Sequence, residues 1–408
     1  MAKKAAEQEE KKVIVCKLCK HENDLRLRIC ENCGGFLPRK AEVDATIAAL
    51  NKKYRKEEGD NLICRMGDHP FYASSLPPIS TGSLKLDKAL LGGYPMSSRV
   101  MIAGDENSGK TTLALQAVAA VQARGGVVVY IDLEQALDIE YAKRIGVNVS
   151  DLIIAKPESG TEALDYLLAM APVSDLIVLD SIAACASIDS INKETKVNTD
   201  GEVEQRYDVG DLARLMSGFQ PKLMNVVAKT TCSFIFINQL RTQINKQNPA
   251  YSPQKPMGGR AVKYFCNVIL NIRTEEELFN DDVYLGRKSV VKIVRAKHLG
   301  VWQTTHIQIG NSGVDVVQEV IDLAIEYGII RAAGSWFSFE GSEKDKENPG
   351  WKVQGIASVK EKIVENPRQY QLMKTAVAAK IEEAHNEAKS YGARLDEVIE
   401  NGEVEDGD

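Results

Sequence analysis

The sequence has no apolar run that is long enough to cross a membrane. A membrane-spanning helix needs about 20 consecutive apolar residues, and no segment of the 408-residue chain approaches that length. The first twelve residues, MAKKAAEQEEKK, are charged throughout and contain no apolar core, so they do not resemble a secretory signal. We therefore expect a protein of the cytoplasm that makes no contact with a membrane.

Basic residues do not outnumber acids in this chain, and the formal net charge is −6. Such a balance gives no general signal of nucleic-acid binding, so any DNA-binding surface must be local. The acids are concentrated near the C-terminus, where the thirteen residues from Asp396 to Asp408 hold seven acids and no Lys or Arg. We expect residues 392–408 to form a disordered acidic tail, which either competes with nucleic-acid phosphates for basic segments of the chain or only aids solubility.

Four of the eight cysteines form two closely spaced pairs near the N-terminus. Cys16 and Cys19, and then Cys30 and Cys33, give the pattern C-x2-C, ten residues, C-x2-C. Two such turns can point four sulfur atoms at one centre and make a tetrahedral thiolate shell for Zn²⁺. Since a reducing compartment disfavours disulfides, the pattern predicts a structural zinc ribbon over residues 1–40. Disulfides, idle thiols and a redox pair are the alternatives.

The clearest motif in the chain is the P-loop pattern G-x-x-x-x-G-K-[ST]. A buried-strand pattern at Arg99–Ala103 precedes it, and a helical pattern follows it. The backbone N–H groups of such a loop surround phosphates at a helix N-terminus, the lysine reaches the outer phosphates, and the hydroxyl can ligate Mg²⁺. We therefore predict a site for a nucleoside triphosphate, formed by Gly104, Asp105, Glu106, Asn107, Ser108, Gly109, Lys110, Thr111 and Thr112.

Strand and helix patterns alternate through the middle of the chain. Strand patterns at residues 290–294 and 304–309 would extend a sheet, and continuous β-rich runs occur at residues 127–132, 176–180, 232–238 and 268–272. Runs of this kind are typical of buried parallel strands with crossover helices, so we expect an α/β fold with a central, mostly parallel sheet. The predicted domains are the zinc ribbon (1–40), an N-terminal helix and linker (41–75), a P-loop ATPase core (76–312), a small α+β C-terminal domain (313–391) and the tail (392–408).

Polar residues follow three of these predicted strands at the sheet edge that carries the P-loop. Asp180 ends one run and is expected to anchor Mg²⁺ through water beside Thr111. Glu134 follows another run and can orient the attacking water, although a solvated loop acid is the alternative. Asn238 and Gln239 end a third run, where an amide either senses the γ-phosphate or has no such role.

Together these residues resemble the bacterial RecA recombinase family across roughly residues 78–375. The matching segments, in the order and spacing of that family, are Ser80–Asp87, Gly104–Thr112, Tyr130–Asp138, Val178–Ser181, Phe236–Arg241, Gly258–Lys263 and Ala332–Phe339. The resemblance implies a RecA-like core, an N-terminal oligomerisation helix and a homo-oligomeric filament on single-stranded DNA. It also implies DNA-dependent hydrolysis of ATP with Mg²⁺, and pairing and strand exchange with homologous double-stranded DNA.

The resemblance also implies roles for individual residues. Glu134 would activate water, and Gln239 would couple the state of ATP to DNA binding. Arg295 and Lys297 would reach across to the ATP of a neighbouring subunit; the family has lysine where Arg295 stands, so the charge is kept but the geometry differs. Two residues would hold the adenine: Asp138 and Tyr141.

Residues 241–259, RTQINKQNPAYSPQKPMGG, contain three basic residues and no acid. This segment cannot form a core element, but it can become ordered on DNA phosphates while Tyr251 stacks on a base; an inert surface loop is the alternative. By the resemblance it is the second DNA loop, and the acids in the first loop, Ile188–Gly210, confine contact to its exit. The predicted DNA-binding residues are Gly210, Arg214, Ser217, Arg241, Lys246, Lys255, Gly258, Gly259 and Arg260.

The zinc ribbon departs from the RecA pattern, whose typical member starts directly with the oligomerisation helix. Bacterial RadA branch-migration proteins do begin with a four-cysteine module, but they carry a Lys-Asn-Arg-Phe-Gly motif, and the nearest segment here is RAKHLG at Arg295–Gly300. We also expect no protease-like C-terminal domain of the RadA kind, because too little chain follows.

The favoured interpretation is a strand-exchange recombinase of a bacterium or a bacteriophage, acting in the bacterial or host cytoplasm. Its zinc ribbon would contact DNA or an accessory protein. The alternatives are a RadA-like branch-migration ATPase or helicase and a filament scaffold that holds ATP with little turnover.

Overall fold

The computed structural model describes residues 13–24, 27, 29–35, 37, 40–54, 63, 76–185, 210–242, 254–297, 303–341 and 348–401. Among the predicted DNA-binding residues, Lys246 lies outside these ranges, and so does Tyr251. The chain divides into two compact units, Met1–Ser75 and Leu76–Asp408.

The N-terminal unit is built around the four paired cysteines. Strand β1 (Val13–Val15) pairs antiparallel with β2 (Glu22–Asp24), and the first cysteine pair lies in the turn between them. Its small core consists of Cys16, Cys30 and Leu37. A helix, α1 (Lys40–Tyr54), follows, so the helix predicted after residue 41 is present in this part of the described chain.

The larger unit contains a central sheet of ten strands. They are β3 (Arg99–Gly104), β4 (Val128–Asp132), β5 (Ile153–Ala155), β6 (Leu176–Asp180), β7 (Ser233–Thr242), β8 (Gln254–Pro256), β9 (Val268–Asn280), β10 (Val283–Ala296), β11 (Thr304–Gly310) and β12 (Gly313–Val314). The order is β12-β11-β10-β9-β3-β7-β6-β4-β5, with β8 paired to β7. The strands from β9 to β5 in this order run parallel, whereas β10, β11 and β12 extend the sheet antiparallel.

Helices cover both faces of this sheet. They are α2 (Leu84–Ala89), α3 (Lys110–Gln122), α4 (Ile139–Ile145), α5 (Gly160–Met170), α6 (Asp211–Val227) and α7 (Gly259–Phe265). Side chains alternate along the strands: Val100 and Ile102 of β3 pack into the cluster that contains Leu113 of α3, and Met101 packs into the cluster that contains Phe219 of α6. Burial on both faces explains why these strands read as continuous apolar runs.

A third hydrophobic cluster forms the C-terminal domain. It contains α8 (Val316–Glu326), a three-stranded antiparallel sheet and two further helices. The remaining elements are β13 (Ile330–Ala333), β14 (Trp336–Phe339), β15 (Trp351–Gln354), α9 (Ile356–Glu365) and α10 (Pro367–Asn401). The predicted fold class, an α/β core with a small α+β C-terminal domain, is confirmed.

The long helix α10 corrects one expectation. It continues to Asn401, so residues 392–401 of the segment predicted to be disordered are helical. The prediction of disorder was based on the acids of this segment. The same segment also contains Leu395, Val398 and Ile399, which have the i, i+3, i+4 spacing of a helix. Residues 402–408 lie outside the described part of the chain. Neither α10 nor any other helix of the described residues is long and apolar enough to cross a membrane.

Candidate functional site

The P-loop lies between β3 and α3, as its sequence context predicts. Gly109 caps α3 with φ of +105°, and a Cβ there would lie 2.2 Å from Ile309 Cδ1. A Cβ at Gly104 would lie 2.3 Å from the carbonyl oxygen of Ile272. Both positions therefore need glycine. Because the cap residue has no side chain, the first backbone N–H groups of α3 are left to bind an anion.

Lys110 and Thr111 begin α3 and face the sheet edge where β6 ends. Lys110 Nζ donates a hydrogen bond to the carbonyl oxygen of Asp105 at 2.6 Å. Burial lowers the pKa of this amine, while the negative charges of Asp180 and Glu134 oppose the shift. Thr111 Oγ1 donates to Asp180 Oδ2 at 3.2 Å. A hydroxyl and a carboxylate at this separation are the hard oxygen donors that Mg²⁺ prefers, so the donor set fits this ion.

Asp180 has a further partner that the sequence analysis did not identify. The hydroxyl of Tyr130, on the neighbouring strand β4, donates to Asp180 Oδ2 at 2.6 Å. Burial raises the pKa of Asp180 to about 6, against the effect of this hydrogen bond. The alternation of side chains along β4 could have indicated which face Tyr130 occupies, but its pairing with Asp180 depends on the β4–β6 register, which no local pattern specifies.

Glu134 lies beside the end of β6. Ser181 Oγ donates a hydrogen bond to Glu134 Oε1, and the backbone N–H of Leu133 donates to the carbonyl oxygen of Asp180 at 2.8 Å. Glu134 is exposed, yet its carboxylate is held next to the Thr111–Asp180 pair rather than on an isolated loop. Ser181 is a second residue of the site whose contact no local sequence pattern indicates.

The segment Asn238–Gln239 connects the P-loop with the second predicted DNA loop. Gln239 pairs with Gly104 across β7 and β3, and its carbonyl oxygen accepts from the N–H of Met257 at 3.3 Å. Asn238 Nδ2 donates to the carbonyl oxygen of Met257 at 2.9 Å. On β8, Gln254 Nε2 donates to Asp105 Oδ1 at 3.2 Å. The return strand of the loop is therefore bonded both to β7 and to the P-loop.

The two residues expected to hold adenine lie at the start of α4. Asp138 caps this helix, with Oδ1 accepting from the N–H groups of Glu140 and Tyr141. The hydroxyl of Tyr141 is hydrogen-bonded to Thr112 Oγ1 at 2.8 Å. The structure thus brings Tyr141 to the P-loop helix and gives Asp138 a helix-capping role.

Arg295 and Lys297 lie at the other end of the parallel strands. Strand β10 runs antiparallel to β9, and its Arg295 pairs with Ile269 near the start of β9. Val268 is level with Val100 at the start of β3, whereas the P-loop follows Gly104 at the end of β3. At about 3.3 Å per residue, the two ends of β3 are separated by roughly 13 Å or more. The structure therefore does not bring this cationic pair to the P-loop of its own chain.

The predicted DNA-contact residues gather where two helices begin. Gly210 caps α6, and Gly258 caps α7 with φ of +86°. Cβ atoms at Gly258 and Gly259 would lie 3.4 Å from Met216 Cγ and 3.3 Å from Ala213 Cβ of α6. The exit of the first loop and the end of the second loop are therefore adjacent.

Within the described residues, the polar and basic side chains predicted to contact DNA lie on α6, α7 and the β7–β8 pair. Arg214 of α6 forms an ion pair with Asp211 at 2.8 Å, and Ser217 Oγ donates to the carbonyl oxygen of Ala213. Arg241 and Lys255 stand opposite each other across β7 and β8, where both are exposed. Arg260 is exposed in the first turn of α7.

The four paired cysteines form one cluster in the N-terminal unit. Their sulfur atoms all lie within 4.8 Å of one another, with 3.6 Å between Cys16 and Cys33 and 3.5 Å between Cys19 and Cys30. Sulfur atoms at about 2.3 Å from a tetrahedral Zn²⁺ would be separated by about 3.8 Å, so the cluster fits this ion. Asn23 Nδ2 donates to Cys30 Sγ at 3.6 Å, as groups around a metal site commonly do.

Comparisons with known proteins agree with this arrangement. Residues 41–314 match the family model described as RecA N-terminal domain. The chain is 38% identical to Protein RecA of Limosilactobacillus reuteri (strain DSM 20016) over 311 residues, which are 75% of this chain and 81% of the relative. It is 37% identical to Protein RecA of Chloroherpeton thalassium over 306 residues, or 74% and 81%. Protein RecA of Pseudomonas savastanoi pv. phaseolicola is 34% identical over 366 residues, or 89% and 98%.

Proposed function

Since the chain belongs to the RecA family, we propose that it is an ATP-dependent recombinase that assembles on single-stranded DNA and pairs it with homologous double-stranded DNA. The observation that carries the proposal is the pair of contacts Thr111–Asp180 and Ser181–Glu134 at the P-loop. These contacts support the proposal, because a candidate Mg²⁺-binding pair beside a candidate base is what hydrolysis of a nucleoside triphosphate requires.

In this proposal the residues of the site divide the hydrolysis of ATP between them. The P-loop N–H groups and Lys110 bind the phosphates, and Thr111 with Asp180 would hold Mg²⁺. When bound, this ion supplies positive charge beside the outer phosphates. Glu134, held by Ser181, orients a water molecule toward the γ-phosphorus and accepts its proton. The bond from the γ-phosphorus to the bridging oxygen breaks, and ADP and phosphate are released.

Arg295 and Lys297 would complete this site in a second copy of the chain. Their distance from the P-loop of their own chain supports a role in trans. Charge also supports a role in trans. The carboxylates near the P-loop and the γ-phosphate are all negative, so added cations would stabilise the charge that develops when the γ-phosphoryl group is transferred. Hydrolysis would then require an interface between copies, and a head-to-tail interface repeats into a filament.

DNA binding would be coupled to ATP through β7 and β8. Gln239 is paired with the P-loop strand, and the return strand of the second DNA loop is bonded to β7 and to Asp105. A change at the γ-phosphate can therefore be passed to the loop through hydrogen bonds. The start of α6 and the start of α7 would bind the DNA backbone, because the positive end of a helix dipole attracts phosphates.

The four-cysteine cluster would hold a structural Zn²⁺. Four thiolates leave no open coordination position for catalysis, so the ribbon would act in contacts with DNA or with an accessory protein rather than in hydrolysis.

The experiment that tests the proposed function is a DNA-stimulated ATPase assay together with a strand-exchange assay. We expect single-stranded DNA to stimulate hydrolysis and ATP to support exchange between a circular single strand and a homologous linear duplex. Stimulated hydrolysis without exchange would favour the branch-migration alternative. ATP binding with no stimulated hydrolysis would favour the scaffold alternative.

A further inference from the structure

A tyrosine hydroxyl is buried next to the candidate Mg²⁺ site. Tyr130 is 1% exposed and belongs to the hydrophobic cluster beneath α3. Its hydroxyl donates to Asp180 Oδ2 at 2.6 Å, and the same oxygen accepts from Thr111 Oγ1 at 3.2 Å. One carboxylate oxygen of Asp180 therefore receives two hydrogen bonds, one from the core and one from the P-loop helix.

The requirements of the core do not explain this hydroxyl. Burying a polar group is unfavourable unless it is hydrogen-bonded, and phenylalanine would fill nearly the same volume with no polar atom. The cross-strand partner of Tyr130 on β6 is Val178, an apolar residue that is fully buried in the same hydrophobic cluster. Packing alone would therefore be satisfied by phenylalanine, and the hydroxyl of Tyr130 serves the hydrogen bond to Asp180, the last residue of β6.

The two donors to Asp180 differ in how free they are to move. Thr111 is itself a predicted Mg²⁺ ligand, and a hydroxyl that binds a metal must turn its lone pairs toward that metal. Its hydrogen bond to Asp180 can therefore rearrange when the ion binds. Tyr130 lies on a central strand and is closely packed, so its ring cannot follow such a rearrangement.

We propose that Tyr130 is a positioning residue, which fixes the orientation of the Asp180 carboxylate and so sets the Mg²⁺ concentration that nucleotide binding requires. This inference rests on the proposed function, because it assumes that Asp180 helps to hold Mg²⁺. A carboxylate that is already oriented loses less rotational freedom when it engages the ion, so removal of the hydroxyl weakens metal-dependent binding without removing any metal ligand.

The chain offers a matched control in Tyr94. This tyrosine is also 1% exposed and belongs to the same hydrophobic cluster. Its hydroxyl has no hydrogen-bond partner within the described part of the chain. Tyr94→Phe and Tyr130→Phe therefore remove the same atom from the same core, and the two variants differ in whether the atom was bonded to Asp180.

The test uses the full-length protein without DNA and measures binding of a fluorescent, non-hydrolysable ATP analogue by anisotropy at increasing Mg²⁺ concentration. We expect Tyr130→Phe to raise the Mg²⁺ concentration for half-maximal binding about fivefold, the effect of losing one typical hydrogen bond. Tyr94→Phe should leave that concentration unchanged. At saturating Mg²⁺ the DNA-stimulated kcat of Tyr130→Phe should return to the wild-type value, because no reacting group is lost.

A double variant separates positioning from general damage to the core. If Tyr130 acts through Asp180, adding Tyr130→Phe to an Asp180→Asn variant should cause no further rise in the Mg²⁺ concentration for half-maximal binding. Equal Mg²⁺ titrations for wild type and Tyr130→Phe would overturn the inference, as would an equal shift in Tyr94→Phe. If wild-type binding does not depend on Mg²⁺ at all, the assignment of Asp180 in the proposed function fails first, and the role of Tyr130 fails with it.

Discussion

The two ends of the parallel strands carry opposite halves of the proposed ATP site. The carboxyl end has the P-loop with Asp180 and Glu134 close to Lys110. The amino end has Arg295 and Lys297, and the Arg295 guanidinium donates to the carbonyl oxygen of Lys263 at 2.7 Å. The carboxyl end is rich in carboxylates and carries the candidate nucleotide site, whereas the amino end presents these two cations.

In the proposed function, this difference is the reason why one copy of the chain would be insufficient. Transfer of a phosphoryl group develops charge that fixed cations must stabilise, and the second group of cations lies at least about 13 Å from the P-loop along β3. The carboxyl end of one copy and the amino end of the next would together form a complete site. Assembly and hydrolysis would then depend on each other.

Disrupting the carboxyl end should have the largest effect. We expect Glu134→Gln to keep ATP binding and to lower the DNA-stimulated kcat at least about 100-fold, because the base that orients water is lost. Lys110→Ala should lose binding as well as turnover, because its charge neutralises the phosphates. Nucleotide anisotropy and phosphate release measure the two quantities. Glu140→Gln is the control, since this exposed glutamate pairs with Lys143, and equal turnover in Glu134→Gln and wild type would refute the assignment.

Disrupting the amino end should have a smaller effect of a different kind. Lys297→Ala should lower DNA-stimulated turnover about tenfold while leaving nucleotide binding to a dilute, DNA-free protein unchanged. In the wild type, turnover per subunit should rise with protein concentration and with DNA, because each site needs two copies. A monomer that hydrolyses ATP at the full rate without DNA would contradict this prediction.

A buried carboxylate at the contact between α2 and α8 allows a control for stability. A variant there should change the stability of the fold without changing either half of the proposed ATP site. Glu319 is 2% exposed and accepts from Ser83 Oγ at 2.6 Å. Burial raises its pKa to about 7, and burial also raises the pKa of Asp87 nearby to about 6. Because the folded-state pKa values lie above the ordinary values, their contribution to stability is fully present below about pH 4 and is lost as pH rises through about 6 to 7.

We therefore expect the free energy of unfolding to decrease between pH 5 and pH 8, and Glu319→Gln to remove on the order of 2 kcal/mol of that decrease. Denaturant unfolding at the two pH values measures it. Turnover at saturating ATP and DNA should stay within about twofold of wild type, since neither end of the sheet is touched. An unchanged difference in unfolding free energy between the two pH values would show that Glu319 is not the titrating group.

The N-terminal unit should have the smallest effect on hydrolysis. Metal analysis of reduced protein should find about one equivalent of Zn²⁺, and removal of residues 1–40 should change basal ATP turnover less than about twofold. DNA or partner binding should change more. Less than about half an equivalent of Zn²⁺ in freshly purified protein would count against the site.

Features of the site differ in how far the sequence could predict them. The P-loop and the paired cysteines are local patterns, and the structure has the expected loop between β3 and α3 and a compact sulfur cluster. Tyr130 and Ser181 were missed as partners, because their contacts join residues about 50 positions apart through the β4–β6 register. Local apolar runs also do not give the direction of a strand, so the antiparallel β10 that carries Arg295 to the opposite end could not be read from its own residues.

The helix to Asn401 shows a different limit. A high density of acids suggested disorder, yet apolar residues at helical spacing continue within the same segment. Composition alone predicted disorder there, whereas residues 392–401 belong to the helix that ends at Asn401.

If each ATP site is formed by two copies of the chain, two variants that are defective at different ends should restore each other's activity when they are mixed. Glu134→Gln lacks a working carboxyl end, and Lys297→Ala lacks a working amino end, so each alone should keep no more than about a tenth of the wild-type turnover on single-stranded DNA. In an equimolar mixture, about a quarter of the head-to-tail interfaces would join two intact ends. We therefore predict that turnover recovers to about a quarter of the wild-type rate, whereas a mixture no more active than the average of its two components would contradict a shared site.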